Sequence, residues 1–268
     1  MKILTPFEKI FTPYILLALN FALILAAEFI GGGTYFAETG LVHGIAIVFV
    51  ILILIRIFTD YAFSDHILRG FLKIQLSFFL LLGMVHVYEY LGLYVLDINE
   101  VVVESTAVLA YIVWLIGNIF ATEWVFRIYR QSTSRPLVFS GVMISLVALL
   151  GVALHFFSTS IHEIPEWTHG VALSLLVVSA GLSIWRLNQI KEIMPVFANY
   201  ARYTVPAVTL VVVAAFAEYA ESEGFLREFG ISDIQNLYIS HFLIYAALSL
   251  LLIGFGKLKK PQGIYADM

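Results

Sequence analysis

The chain contains no cysteine. That absence excludes disulfides, thiolate metal sites, iron–sulfur clusters and cysteine nucleophiles. Charge is scarce too: Asp, Glu, Lys and Arg make up 13% of the residues, against about a quarter in a soluble domain. No stretch is long and polar enough to form a separate soluble domain. Phosphate-binding glycine motifs, His-Glu-x-x-His and Gly-x-Ser-x-Gly are missing, so the sequence offers no nucleotide loop, zinc-peptidase helix or hydrolase elbow.

What is present is apolar. Of 268 residues, 61% are hydrophobic, which predicts an all-α, polytopic membrane protein of the cell (plasma) membrane. Eight runs are long enough to cross the hydrocarbon region, at about 14–30, 42–58, 71–91, 105–126, 137–158, 168–185, 203–221 and 237–255. The first follows Lys2 and Lys9 in the manner of a signal peptide. No persuasive small-x-small cleavage site follows it, and we read it as a retained span.

The basic residues are sorted by side. With eight spans and the N-terminus inside, Arg56, Arg69, Lys73, Arg127, Arg130, Arg135, Arg186, Lys191, Arg202, Lys257, Lys259 and Lys260 fall on the cytoplasmic side. Only Arg227 lies outside, so positive-inside reasoning predicts an N-in/C-in chain. The same spread of basic residues over span ends suits anionic lipid and not nucleic acid. Glu38, Asp97, Glu100, Glu104, Glu163, Glu166, Glu221, Glu223, Glu228 and Asp233 make the extracytoplasmic face acidic. Acidic residues weigh little in topology, so that bias serves either cation attraction or loop solubility.

The two halves of the chain resemble each other, which predicts tandem four-helix repeats over 1–135 and 136–268. His43-Gly44 opens the second span and His169-Gly170 the sixth. Lys73 precedes Glu89-Tyr90 by sixteen residues, and Arg202 precedes Glu218-Tyr219 by the same sixteen. Leu115-Ile116-Gly117 recurs as Leu252-Ile253-Gly254. Glu28 lies fifteen residues before His43, and His155 fourteen before His169. An even number of spans per repeat predicts a pseudo-two-fold axis along the membrane normal.

Ionisable groups inside apolar runs are costly and mark candidate sites. His86 and Glu89, three apart in FFLLLGMVHVYEY, share one helix face. On the predicted topology they lie at one depth with Glu28, His43, His155, His169 and Glu218, near the outer boundary, and His241 sits in the first turn of the last span. Imidazole with carboxylate suits a divalent or redox metal ion: zinc, iron, manganese or copper. The plainer readings are an ion pair for His86 with Glu89, headgroup contacts for His43 and His169, and close helix packing at each His-Gly. Glu123 is placed to pair with Arg127 four residues on, and Asn20 and Asn118 to bond between helices. Tyr90 and Tyr219 follow the matched glutamates and could orient a ligand; most other aromatics suit an interfacial belt.

The expectation is therefore a membrane protein with a His/Glu metal site in the outer leaflet, serving an enzyme at the extracytoplasmic face if the ion keeps an open position. One alternative is a proton- or cation-coupled transporter using the same residues as an ion relay. Another is a haem-binding redox protein with His86 and His155 as axial ligands. Membrane lipids and a metal ion are the expected partners, and the sequence allows a homo-oligomer.

Overall fold

The computed structural model describes residues 40–62, 64–96, 100–130, 167–222 and 225–258, with the isolated positions 18 and 22. Six long helices account for most of them: α1 (Leu41–Ala62), α2 (His66–Tyr94), α3 (Glu100–Arg130), α4 (Trp167–Ile193), α5 (Pro195–Ser222) and α6 (Asp233–Gly256). A 3-10 turn, Phe225–Phe229, precedes α6, and there is no strand among the described residues. All six helices are long and apolar enough to cross a membrane. They correspond to six of the eight expected spans. Apart from positions 18 and 22, the spans at 14–30 and 137–158 lie outside the described residues, as do Glu28, His155 and Asn20.

The helices run past the apolar stretches that predict them. The 31 residues of α3 extend over about 46 Å, against about 30 Å of hydrocarbon. The segment between the expected spans at 168–185 and 203–221 belongs to α4 and α5, with Met194 alone between them. Pro195 opens α5, where its missing N–H is no loss. Asp65 starts α2 by accepting a hydrogen bond from the Leu68 amide at 2.9 Å. Ser232 and Gln235 start α6 as a reciprocal capping box.

Each helix packs on the next in sequence, and α6 returns to α1, so the six close into a ring. Side-chain contacts fix their directions. His86 meets Tyr111 and Gln75 meets Asn118, so α2 and α3 are antiparallel. Arg186 pairs with Glu123 at 3.0 Å near the C-terminal ends of both helices, so α3 and α4 are parallel. Val42 meets Tyr245 and Arg56 reaches the Gly256 carbonyl, so α1 and α6 are parallel as well. One end of the ring therefore gathers Arg56, Arg69, Arg127, Arg186 and Lys191.

The ring is filled, not open. Phe79 packs edge-on against Trp114 and Phe255, and Phe71 against Phe197 and Tyr200, which joins α2 to α5 and α6 across the interior. Large apolar side chains such as Ile51, Phe58, Met84, Val178 and Phe216 face outward and exposed, as lipid contact demands. The α2–α3 seam is close: a Cβ on Gly117 would run into the Phe78 ring, and one on Gly70 into the Trp124 indole.

Candidate functional site

Ionisable side chains converge at the end of the ring where α1, α3, α4 and α6 begin. On α2, His86 and Glu89 are 4% and 7% exposed, and Glu89 lies about 7.5 Å short of the helix end. Their spacing stacks them one turn apart, with His86 Nδ1 2.8 Å from Glu89 Oε2. The other ring nitrogen of His86, Nε2, is 3.1 Å from the Tyr111 hydroxyl of α3. From α1, buried His43 places Nε2 3.7 Å from Glu89 Oε1 and Nδ1 3.1 Å from the Tyr94 hydroxyl.

Local sequence explains why His43 arrives there. Gly40 enters α1 at φ +69°, a conformation that other residues adopt only with strain. A Cβ at that position would also lie 2.7 Å from the Tyr94 ring. Glycine thus lets the start of α1 rest on the end of α2. From α6, His241 sets its ring edge-on to that of His43, with centroids 4.6 Å apart. One turn on, the Tyr245 hydroxyl donates to the Val42 carbonyl and ties α6 to α1 beside the site.

The hydrogen bonds assign roles to the ring nitrogens. An ionised Glu89 can only accept, so His86 donates through Nδ1 and leaves Nε2 to accept the Tyr111 O–H. The Leu237 carbonyl, 2.9 Å from His241 Nδ1, likewise makes that nitrogen the donor and leaves Nε2 with its lone pair. A separation of 3.7 Å is too long for a hydrogen bond, so the series Tyr111, His86, Glu89 is closed and its continuation to His43 and Tyr94 is open by one step. All three imidazoles lie within electrostatic range of the one carboxylate. A set of this kind can hold a proton and pass it on.

Of the residues singled out from sequence, the ring brings His43, His86 and Glu89 together, with His241 beside them. Since α6 begins at Asp233, His241 is two turns into the helix and not in its first turn. Glu218 on α5 is half-buried and its charge reaches Tyr111. His169 lies in the first turn of α4, where only the backbone is described. Tyr90 sets its ring at a tilt to that of Tyr94, with centroids 5.6 Å apart, and Tyr219 packs against the hydrophobic core. Nothing in the sequence singles out Tyr94, Tyr111 or Tyr245 for this site, because a tyrosine in an apolar run carries no mark of its partner.

Two of the plainer expectations change. A Cβ on Gly44 or Gly170 would meet nothing within 4 Å among the described residues, so neither glycine makes a close helix contact within the six-helix ring. Glu123 pairs across the seam with Arg186 of α4, where Arg127 was the expected partner. Asn118 does bond between helices, accepting from Gln75 Nε2 at 2.6 Å. Among the described residues, no group of three or more His, Asp or Glu side chains is arranged to hold a metal ion. No protein-family profile, curated protein or solved structure matches this chain.

Proposed function

We propose that this protein handles protons at the membrane, as a proton- or cation-coupled transporter in which Glu89 binds the proton and the His–Tyr pairs relay it. The observation that carries this reading is the Tyr111, His86, Glu89 series, with 3.1 and 2.8 Å between successive partners. The near-mirror arm through His43 and Tyr94 supports it. Buried His and carboxylate chains are the usual apparatus of intramembrane proton transfer. A 3.7 Å gap is closed by a small side-chain movement, so Glu89 can exchange one imidazole partner for the other. On the positive-inside orientation the cluster faces the extracytoplasmic side of a plasma-membrane protein.

Proton flux into dye-loaded proteoliposomes tests the reading. The native chain carries protons down an imposed pH gradient, and Glu89→Gln lowers that flux at least about a hundredfold, because it keeps the shape but cannot take up the proton. Equal flux in the two proteins ends the reading.

Metal binding is the second reading, and His241 favours it. An imidazole held by a backbone carbonyl at Nδ1, with Nε2 free to coordinate, is the usual support of a metal-binding histidine. A zinc, iron, manganese or copper ion on His43, Glu89 and His241 would need Glu89 to release His86, so it ranks below the relay. With an open position, such an ion would serve an enzyme at the extracytoplasmic face. Elemental analysis with and without Glu89→Gln and His241→Ala decides it: no stoichiometric metal in the native protein removes the reading. Haem ligation by His86 would have to displace Tyr111 from Nε2, and a Soret band would reveal it.

We also propose the tandem duplication of the chain. Both α1–α2–α3 and α4–α5–α6 run in the same alternation, and each trio meets the other through a parallel pair. Gly117 lies against α2 and its counterpart Gly254 lies against Tyr200 and Thr204 of α5. In a bilayer, parallel α3 and α4 require an odd number of crossings between them, as the expected span at 137–158 supplies.

A further inference from the structure

We propose that Gln75, Asn118 and Tyr200 frame a binding site for an internal water molecule at mid-depth, and that this water is a second station on the proton route beginning at Glu89. The functional half of the inference rests on the proton reading above. All three side chains are 0% exposed, on α2, α3 and α5 respectively. Gln75 Nε2 donates to Asn118 Oδ1 at 2.6 Å, and the Tyr200 hydroxyl donates to the same oxygen at 3.3 Å. Both lone pairs of that oxygen are then used. Gln75 Oε1 and Asn118 Nδ2 remain, and neither has a partner among the described residues.

Those two atoms are one acceptor and one donor, on side chains already joined to each other. Water matches the pair: it donates to Gln75 Oε1 and accepts from Asn118 Nδ2. Leaving both unmade in an apolar interior costs more than immobilising one water, which is why polar cavities are hydrated while apolar ones stay dry. A bound cation fits worse, because Asn118 Oδ1 is already filled by two donors and Asn118 Nδ2 presents a further donor.

The station is connected toward the cluster by one face of α3. Tyr111, Trp114 and Asn118 follow at spacings of three and four, so they line that face in order. Tyr111 is bonded to His86, and Trp114 Nε1, in a side chain 1% exposed, has no partner among the described residues. An indole N–H cannot relay a proton, but it can anchor a water between the two stations. About 10 Å of helix separates Tyr111 from Asn118, with Trp114 between them. Each proton transfer through a bound water breaks one O–H bond as it makes the next, so no co-reactant is consumed.

Two measurements on the full chain test the proposal. In a high-resolution experimental map, water density within hydrogen-bonding distance of both Gln75 Oε1 and Asn118 Nδ2 is expected. A side chain in that place, or direct contact closing the gap, overturns the site whatever the flux. In the proteoliposome assay, Gln75→Met is expected to lower proton flux about tenfold, the rate equivalent of one lost hydrogen bond in the path. Asn118→Ser serves as the second variant if Gln75→Met does not fold. Native flux in a folded variant overturns the station. Absence of flux in the native protein with the water present rejects the Glu89 reading and the station's role, while the water site itself is upheld by the map.

Discussion

Glu89 is tolerable at its depth because other groups offset its desolvation. A buried carboxylate without partners costs several kcal/mol, and His86 meets it at 2.8 Å. Removing His86 alone leaves Glu89 with His43, 3.7 Å away, as its remaining imidazole partner, so His86→Ala is expected to destabilise the protein by about 1–3 kcal/mol. Adding Glu89→Leu to His86→Ala should restore much of the loss, since no charge is then left buried. Thermal unfolding in detergent measures both, and a double variant no more stable than the single one would show that the pair is not coupled. Tyr111→Phe removes one hydrogen bond and no charge, with an expected cost of about 1 kcal/mol. On the relay reading, that small change in stability is accompanied by a large loss of proton flux.

At the scale of the element, the α2–α3 seam holds His86 against Tyr111. Its closeness depends on small residues: Gly117 faces Phe78 and Gly70 faces Trp124 with no room for a methyl group. Gly117→Ala is expected to cost about 1–3 kcal/mol through overpacking. Gly44→Ala is the contrasting case, because an added Cβ there meets nothing within 4 Å among the described residues. Better helix propensity should make that variant as stable as the native chain or more so, by up to about 1 kcal/mol. Comparing the two melting curves separates a packing glycine from a bystander, although both occupy similar apolar sequence. Asp65→Ala removes the α2 cap and should cost about 1 kcal/mol.

At the scale of the whole molecule, the absence of cysteine makes topology directly measurable. Leu96 and Phe229 are exposed at the end of the ring that holds the cluster, and His66 and Lys191 are exposed at the other. In intact cells, Leu96→Cys and Phe229→Cys should react with an impermeant maleimide. His66→Cys and Lys191→Cys should react only after permeabilisation. Labelling of all four from one side would contradict a transmembrane ring.

Much of this architecture was legible along the chain. Hydropathy is a local property, summed over neighbours in sequence, so six helices stand where apolar runs predicted them, and the basic residues mark one end. The pairing of His86 with Glu89 was also local, because three residues on a helix make one turn. Closure of α6 onto α1 was not local. It brings residues some two hundred positions apart into contact, through the packing of one helix face on another, and no periodicity within either helix specifies it. That closure set His241 on His43, and the α2–α3 seam chose Tyr111 from fourteen tyrosines. Sequence alone determined that charge would be buried near one end of an apolar helix bundle. Only the tertiary structure decided which hydroxyls and imidazoles would satisfy it, because a hydrogen bond is set by a few tenths of an ångström between atoms that the chain brings together last.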